Sequence, residues 1–267
     1  MKNRSKIGKG NSFSPADMIV IAAAVIFSAV VKYGIRSFFA PLESVTLLFS
    51  LAFYGSALLL PGLVLLFFFG SRKSLSEERD GKSDGILLFL TALTAPLFFG
   101  MVSSFFGNAG DTPSLQLSGF PDLLMMFFSY AVLPAVCEEF FYRCALTRSI
   151  TVLAGREWGI VIPALLFGIA HVSSENVFSG VVFPALFTGL FYGTLAEGGK
   201  GWKRCALCHF INNGCAFVMA AAQSADLTVL TRVTGVMGAF LGISFIPCVI
   251  MYILRRKKND FTENRDV

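Results

Sequence analysis

The sequence predicts an all-α protein, a polytopic membrane helix bundle of about eight transmembrane helices, and three observations carry that reading. Hydrophobic residues make up 55% of the 267, with 29 Phe, whereas charged residues are only 15%. Mean hydropathy is +0.69. The apolar residues also fall in long runs separated by short basic segments. A soluble domain leaves much of its surface in water and could not hide so much apolar side chain, and an ordinary one is about a quarter charged. Soluble enzymes and disordered tails are thereby excluded.

A helix needs roughly 20 apolar residues to cross the hydrocarbon. By that measure the spans fall at 17–35, 42–69, 85–106, 121–146, 158–174, 177–196, 204–222 and 227–254, within one membrane domain covering 1–267. The first is read as a retained span, because Lys32, Tyr33 and Arg36 follow its apolar run where a signal peptide would place small residues for cleavage. The second contains Pro61-Gly62, which predicts a kink. Five of the six Cys lie inside apolar runs and Cys205 lies at the edge of one, so buried free thiols are expected rather than a disulfide framework.

An even number of spans puts both tails, 1–16 and 255–267, on one side. Cytoplasmic segments are enriched in Lys and Arg, and all 22 except Lys32, Arg36 and Arg232 fall in segments that alternation places with the tails. Both termini are therefore predicted cytoplasmic, in the plasma membrane if the source is bacterial. Topology accounts for the basic clusters, and no nucleic-acid partner is called for. The loop Gly107 to Phe120, with no Lys or Arg, is expected outside, and Ser71 to Gly85 is expected to be a polar, mobile loop.

An ionisable residue inside a span is expensive and marks a functional site by default. Away from span ends there are five: Glu138, Glu139, Arg143, His171 and His209, and the two histidines are the only ones in the chain. Glu139 and Arg143 are i and i+4 and can form an ion pair on one helix face. Glu138 is turned about 100° away and lacks a helical partner, as suits a general base. An alternative is that these side chains snorkel at a cytoplasmic helix end. His209 and Asn213 lie one turn apart, and both can donate hydrogen bonds to an oxyanion.

The ordered set Glu138-Glu139-x-x-x-Arg143, Phe167-x-x-x-His171 and His209-x-x-x-Asn213, on successive apolar helices, resembles the three motifs of the CPBP (Abi) intramembrane proteases. That family includes the CAAX prenyl endopeptidases and bacterial bacteriocin-processing or self-immunity proteins. The motifs fall within an expected catalytic core of 121–222. The resemblance implies a glutamate-activated water and a peptide or lipidated-protein substrate, with no metal and no cofactor. Glu138 would deprotonate the water and His171 would help hold it. His209 and Asn213 would stabilise the oxyanion, Glu139 and Arg143 would support the geometry, and Phe167 would pack. Many relatives have Gly after the motif arginine; here it is Cys144, still small enough for close helix packing.

Depth raises a difficulty. His171 lies 13 residues past the expected start of span five at 158, or ~20 Å, deeper than Glu138 and His209 on straight perpendicular helices. A tilted span, a start below the surface near Pro163, or a deep conical cavity would each reconcile them.

Other readings compete. Cys205-x-x-Cys208-His209 matches the haem-attachment pattern C-x-x-C-H, and Glu138, His171 and His209 could supply three zinc ligands. A transporter or non-enzymatic scaffold is a different class, but the intramembrane polarity is concentrated between 138 and 213 rather than repeated in two halves. Gly189-x-x-x-Gly193 and Gly238-x-x-x-Gly242 read as close helix contacts within the bundle. Accessibility labelling of single-cysteine variants is expected to find positions near Ser76 and Asn259 inside and near Ser114 outside; Ser76 and Ser114 on the same side would break this topology.

Overall fold

The computed structural model describes residues 14–39, 46–72, 85–105, 119–172, 182–196 and 201–263, and every regular element among them is helical. Six stretches are long and apolar enough to cross a membrane: Pro15–Gly34, Leu47–Phe69, Gly85–Ser103, Phe120–Ala154, Trp202–Ser224 and Thr228–Leu254. The chain is a multi-pass membrane protein. The expected spans at 158–174 and 177–196 are present as shorter helices, α8 (Arg156–Ile169, 14 residues) and α9 (Val182–Ala196, 15 residues). α8, at about 21 Å, is shorter than the ~30 Å hydrocarbon, and α9 is bounded at both ends by residues outside the described ones. Among the described residues, six helices are thus long and apolar enough to cross and two more apolar helices stand beside them, while residues 173–181, which the spans were expected to include in part, lie outside the described residues.

The first span is α1 (Pro15–Phe39). The second consists of α2 (Thr46–Tyr54), a wide π-helical turn Gly55–Leu59 and α3 (Leu60–Phe69). The break expected at Pro61-Gly62 takes this form, because Pro61 has no N–H to give the helix behind it, and the Leu60 N–H reaches back to Gly55 O. The same device recurs after α4 (Gly85–Phe105) and α5 (Phe120–Phe127): a π-turn at Phe128–Val132 precedes α6 (Leu133–Glu139) and Pro134, with the Leu133 N–H on Phe128 O. A third π-helical stretch, Phe140–Leu146, leads into α7 (Thr147–Ala154). α10 (Trp202–Ser224), α11 (Thr228–Ile243) and α12 (Phe245–Glu263) complete the chain.

The fourth span was expected to end at 146, yet its helix continues to Ala154. The polar residues from Thr147 onward do not end the helix, because their hydroxyls bond back to it. Thr147 Oγ1 donates to Tyr142 O at 2.9 Å, Ser149 Oγ to Ala145 O at 2.8 Å and Thr151 Oγ1 to Thr147 O at 2.7 Å. Gly155, at φ 90°, then reverses the chain in a conformation that favours glycine. Arg143 stands twelve residues before this turn and Phe167 twelve after it, so the antiparallel arms bring both to one level. The guanidinium of Arg143 accordingly lies 4.4 Å from the Phe167 ring, one turn before His171.

Close packing holds the returning arm. A Cβ on Gly159 would collide with the Thr151 side chain. On the other side of α8, Gly189 and Gly193 of α9 sit against Ala164 and Ile160, where added Cβ atoms would be 3.2 Å and 3.1 Å from their nearest atoms. The Gly189/Gly193 pair is thus an internal packing seam, as read from the sequence. The second pair divides: Gly242 meets Leu97 and Met101 of α4, but a Cβ on Gly238 would meet nothing within 4 Å. α4 also stacks on its neighbours through Phe99–Phe187 at 4.9 Å and Phe98–Phe245 at 4.8 Å.

Polar contacts tie helix ends together as alternation requires. Asp17 at the start of α1 pairs with Arg72 just past α3 at 2.9 Å. Arg148 Nη2 donates to Gly70 O at 2.7 Å and to Arg72 O at 3.2 Å, capping the carbonyl end of α3. The Gly189 seam predicts that Gly189→Val, which must wedge α8 from α9, lowers stability by about 1–3 kcal/mol, measured by thermal unfolding in detergent. Gly238→Val is expected to be near neutral in the same assay.

Candidate active site

Two sequence-local devices aim the site residues. On α6, Glu138 and Glu139 follow Pro134 within a helix reset by the preceding π-turn, and Arg143 sits in the next π-helical stretch. On α10, Phe210 and Phe217 flank the position of Asn213, and both rings meet Phe127 of α5 edge-on, at 5.9 Å and 5.6 Å. This aromatic clasp docks α10 against the fourth span and brings His209 opposite Glu139.

Glu139 is the junction. Its Oε2 lies 3.3 Å from Arg143 Nε, the i,i+4 pair expected from the sequence, with both side chains at 0% exposure. Its Oε1 accepts a hydrogen bond from His209 Nδ1 at 2.9 Å, a partnership the sequence did not indicate. The Arg143 Nη atoms have no hydrogen-bond partner, but the guanidinium lies among three rings, with Cζ 4.4 Å from the Phe167 centroid, 5.7 Å from Tyr142 and 5.8 Å from Tyr192. Cation–π attraction to desolvated rings of this kind is worth about 1–2 kcal/mol. Arg143 therefore does not snorkel; its charge is held inside by one carboxylate and an aromatic box.

Phe167 does more than pack. Its ring lies 4.6 Å from that of His171, 6.1 Å from that of His209 and 5.2 Å from that of Tyr142, centroid to centroid. It therefore joins the arginine to both histidines. His171, at the end of α8, donates from Nδ1 to Phe167 O at 2.7 Å, which leaves Nε2 of the neutral ring as an acceptor. Glu138 is buried, and its Oε2 has no hydrogen-bond partner in the protein; it is close enough to act electrostatically on both His171 and His209. Asn213 is half-buried one turn along from His209, and its Oδ1 accepts from Asn212 Nδ2 at 3.5 Å, leaving its own amide N–H groups as donors.

The structure thus brings Glu139, Arg143 and His209 into direct contact and joins His171 to them through Phe167, with Glu138 alongside. Tyr192 was missed. It carries no charge and lies on α9, where the sequence offered only glycine spacing, yet its buried ring faces both Arg143 and His209, at 6.3 Å from the latter. Among the described residues no group of three His, Cys, Asp or Glu side chains converges as metal ligands, Glu138, His171 and His209 included. The thiols of the C-x-x-C-H segment are buried and engaged in packing, Cys205 Sγ with Tyr192 O at 3.2 Å and Cys208 Sγ with Phe89 O at 3.9 Å.

Residues 120–215 match the family described as Type II CAAX prenyl endopeptidase Rce1-like. This match supports the resemblance of the segment holding the site to the CPBP family of CAAX-type intramembrane proteases. No curated protein and no solved structure matches the chain. The CPBP segment begins with α5, encloses all three motifs and ends within α10; α1 to α4, α11 and α12 lie outside it. Breaking the ion pair at its centre predicts a loss of about 3–5 kcal/mol for Arg143→Met, because Glu139 is left buried beside an uncharged side chain. Thermal unfolding and monodispersity in detergent measure it. Adding Glu139→Gln is expected to recover a large part of the loss.

Proposed function

We propose that the chain is an intramembrane endopeptidase that hydrolyses a peptide bond near the C-terminus of a prenylated, CAAX-type peptide by means of a glutamate-activated water. The observation that carries this reading is the buried, unpartnered Oε2 of Glu138, in a carboxylate within electrostatic reach of two imidazoles from other helices. A buried carboxylate oxygen left without a partner is costly, and a water bound there would offset that cost and become the nucleophile.

The water would donate one hydrogen bond to Glu138 Oε2 and the other to His171 Nε2. As its oxygen attacks the carbonyl carbon, its proton passes to Glu138. The carbonyl π electrons move to oxygen, and His209 and Asn213 donate hydrogen bonds to that oxyanion. His209 Nδ1 is committed to Glu139, so the oxyanion donor has to be Nε2–H of the imidazolium, for which Glu139 is the counter-ion. Collapse of the tetrahedral species breaks the C–N bond, and Glu138 returns its proton to the leaving amine. Arg143, paired with Glu139, holds that carboxylate in place and so acts through it as a positioning residue.

Detergent-purified protein of matched monodispersity should cleave a farnesylated, internally quenched peptide. Glu138→Gln is expected to reduce kcat by ~10²–10⁴-fold with folding intact, and Asn213→Ala by about 10²-fold with substrate binding less affected. Equal cleavage by Glu138→Gln and the parent would remove the mechanism. Preference for the same peptide without its prenyl group would replace the CAAX substrate class by an unmodified, bacteriocin-like precursor.

A further inference from the structure

The chain outside the CPBP segment also reaches the site. Lys32 lies on α1, far in sequence from the motifs, and is one of three basic residues that span alternation sets apart from the cytoplasmic clusters. Its Nζ donates to Ala170 O at 2.8 Å. Ala170 follows the last residue of α8, where carbonyls have no partner within the helix. The end is tightly wound, with the Ala170 N–H on Leu166 O and the His171 N–H on Gly168 O. A cation is favoured here because it caps a carbonyl and opposes the negative end of the helix dipole. The next residue is His171, close enough to Lys32 to interact with it electrostatically and fixed at its other side by Nδ1 on Phe167 O.

A helix end can be satisfied by any neutral donor, and an ammonium in an apolar setting is expensive. Val31, next to Lys32, and Ala170 both pack against the same apolar cluster. From these contacts we infer that Lys32 is a positioning residue for the hydrolytic reaction: by holding the carbonyl end of α8 it fixes the backbone turn that aims His171 Nε2 at the water beside Glu138. The inference rests on the protease reading. It assigns α1 a part in the chemistry, so the site is completed by a helix outside the matched segment.

The test uses the full chain in detergent with the farnesylated quenched peptide, comparing parent, Lys32→Met, Lys32→Arg and Glu138→Gln. Lys32→Met is expected to lower kcat about 10-fold or more, the scale of a small misplacement of a reacting group, with KM within about twofold. Lys32→Arg, which keeps the charge and the donor, is expected to restore kcat to within about threefold. Amide hydrogen exchange over 167–172 should be faster by about 10-fold in Lys32→Met and parent-like in both Lys32→Arg and Glu138→Gln. The exchange measurement does not require cleavage, so it decides the clamp even if the parent proves inactive or Glu138→Gln proves fully active, either of which would sink the protease reading instead. Parent-like kcat or unchanged exchange in Lys32→Met overturns the inference. So does a loss that arginine fails to restore, or faster exchange spread over the whole chain.

Discussion

Glu139 divides its two oxygens between Arg143 and His209 in an interior from which both it and the arginine are fully shielded, and the rest of the site depends on that division. A buried guanidinium is tolerable only with a counter-charge, and a buried carboxylate only with donors. The triad gives the arginine its counter-charge and the carboxylate one donor, His209 Nδ1, while joining α6 and the π-helical stretch after it to α10. The rings of Phe167, Tyr142 and Tyr192 add two further helices to the enclosure. With Glu139 so occupied, its neighbour Glu138 is left as the buried carboxylate to which the proposed reaction assigns the proton.

What sets the geometry is the hairpin around Gly155. Continuing the helix through hydroxyls that bond to their own backbone moves the turn outward by eight residues, from 146 to 154. The two arms then align Arg143 with Phe167. From the turn, α8 returns to the level of the site, and α9 packs along it through Gly189 and Gly193. The two helices therefore form one close-packed pair.

The sequence made the fold class legible, since composition and apolar run length report directly on lipid as the solvent. It also made the charged positions legible, because a Glu, Arg or His in an apolar run stands out. Three things were less legible, each for a physical reason. Helix ends were misjudged where Thr and Ser bonded locally instead of marking a terminus. The His209–Glu139 contact is long-range, and no helical spacing encodes it. The roles of Phe167 and Tyr192 were hidden because an aromatic ring in a Phe-rich membrane chain looks like packing until a guanidinium is found on its face. Residues 1–13 and 106–118, where much of the tail and loop topology was argued, lie outside the described residues.

In the proposed reaction water attacks the peptide bond directly, with Glu138 handling only its proton. Many turnovers in water enriched in oxygen-18, followed by mass spectrometry of both product and protein, test this most directly. Direct attack is expected to leave one heavy oxygen in the new carboxyl group of the product, none in the Glu138 side chain, and no acyl group on the protein quenched in mid-reaction. Heavy oxygen in Glu138, which marks an anhydride, or an acyl group on Cys137 or Cys144, would contradict it.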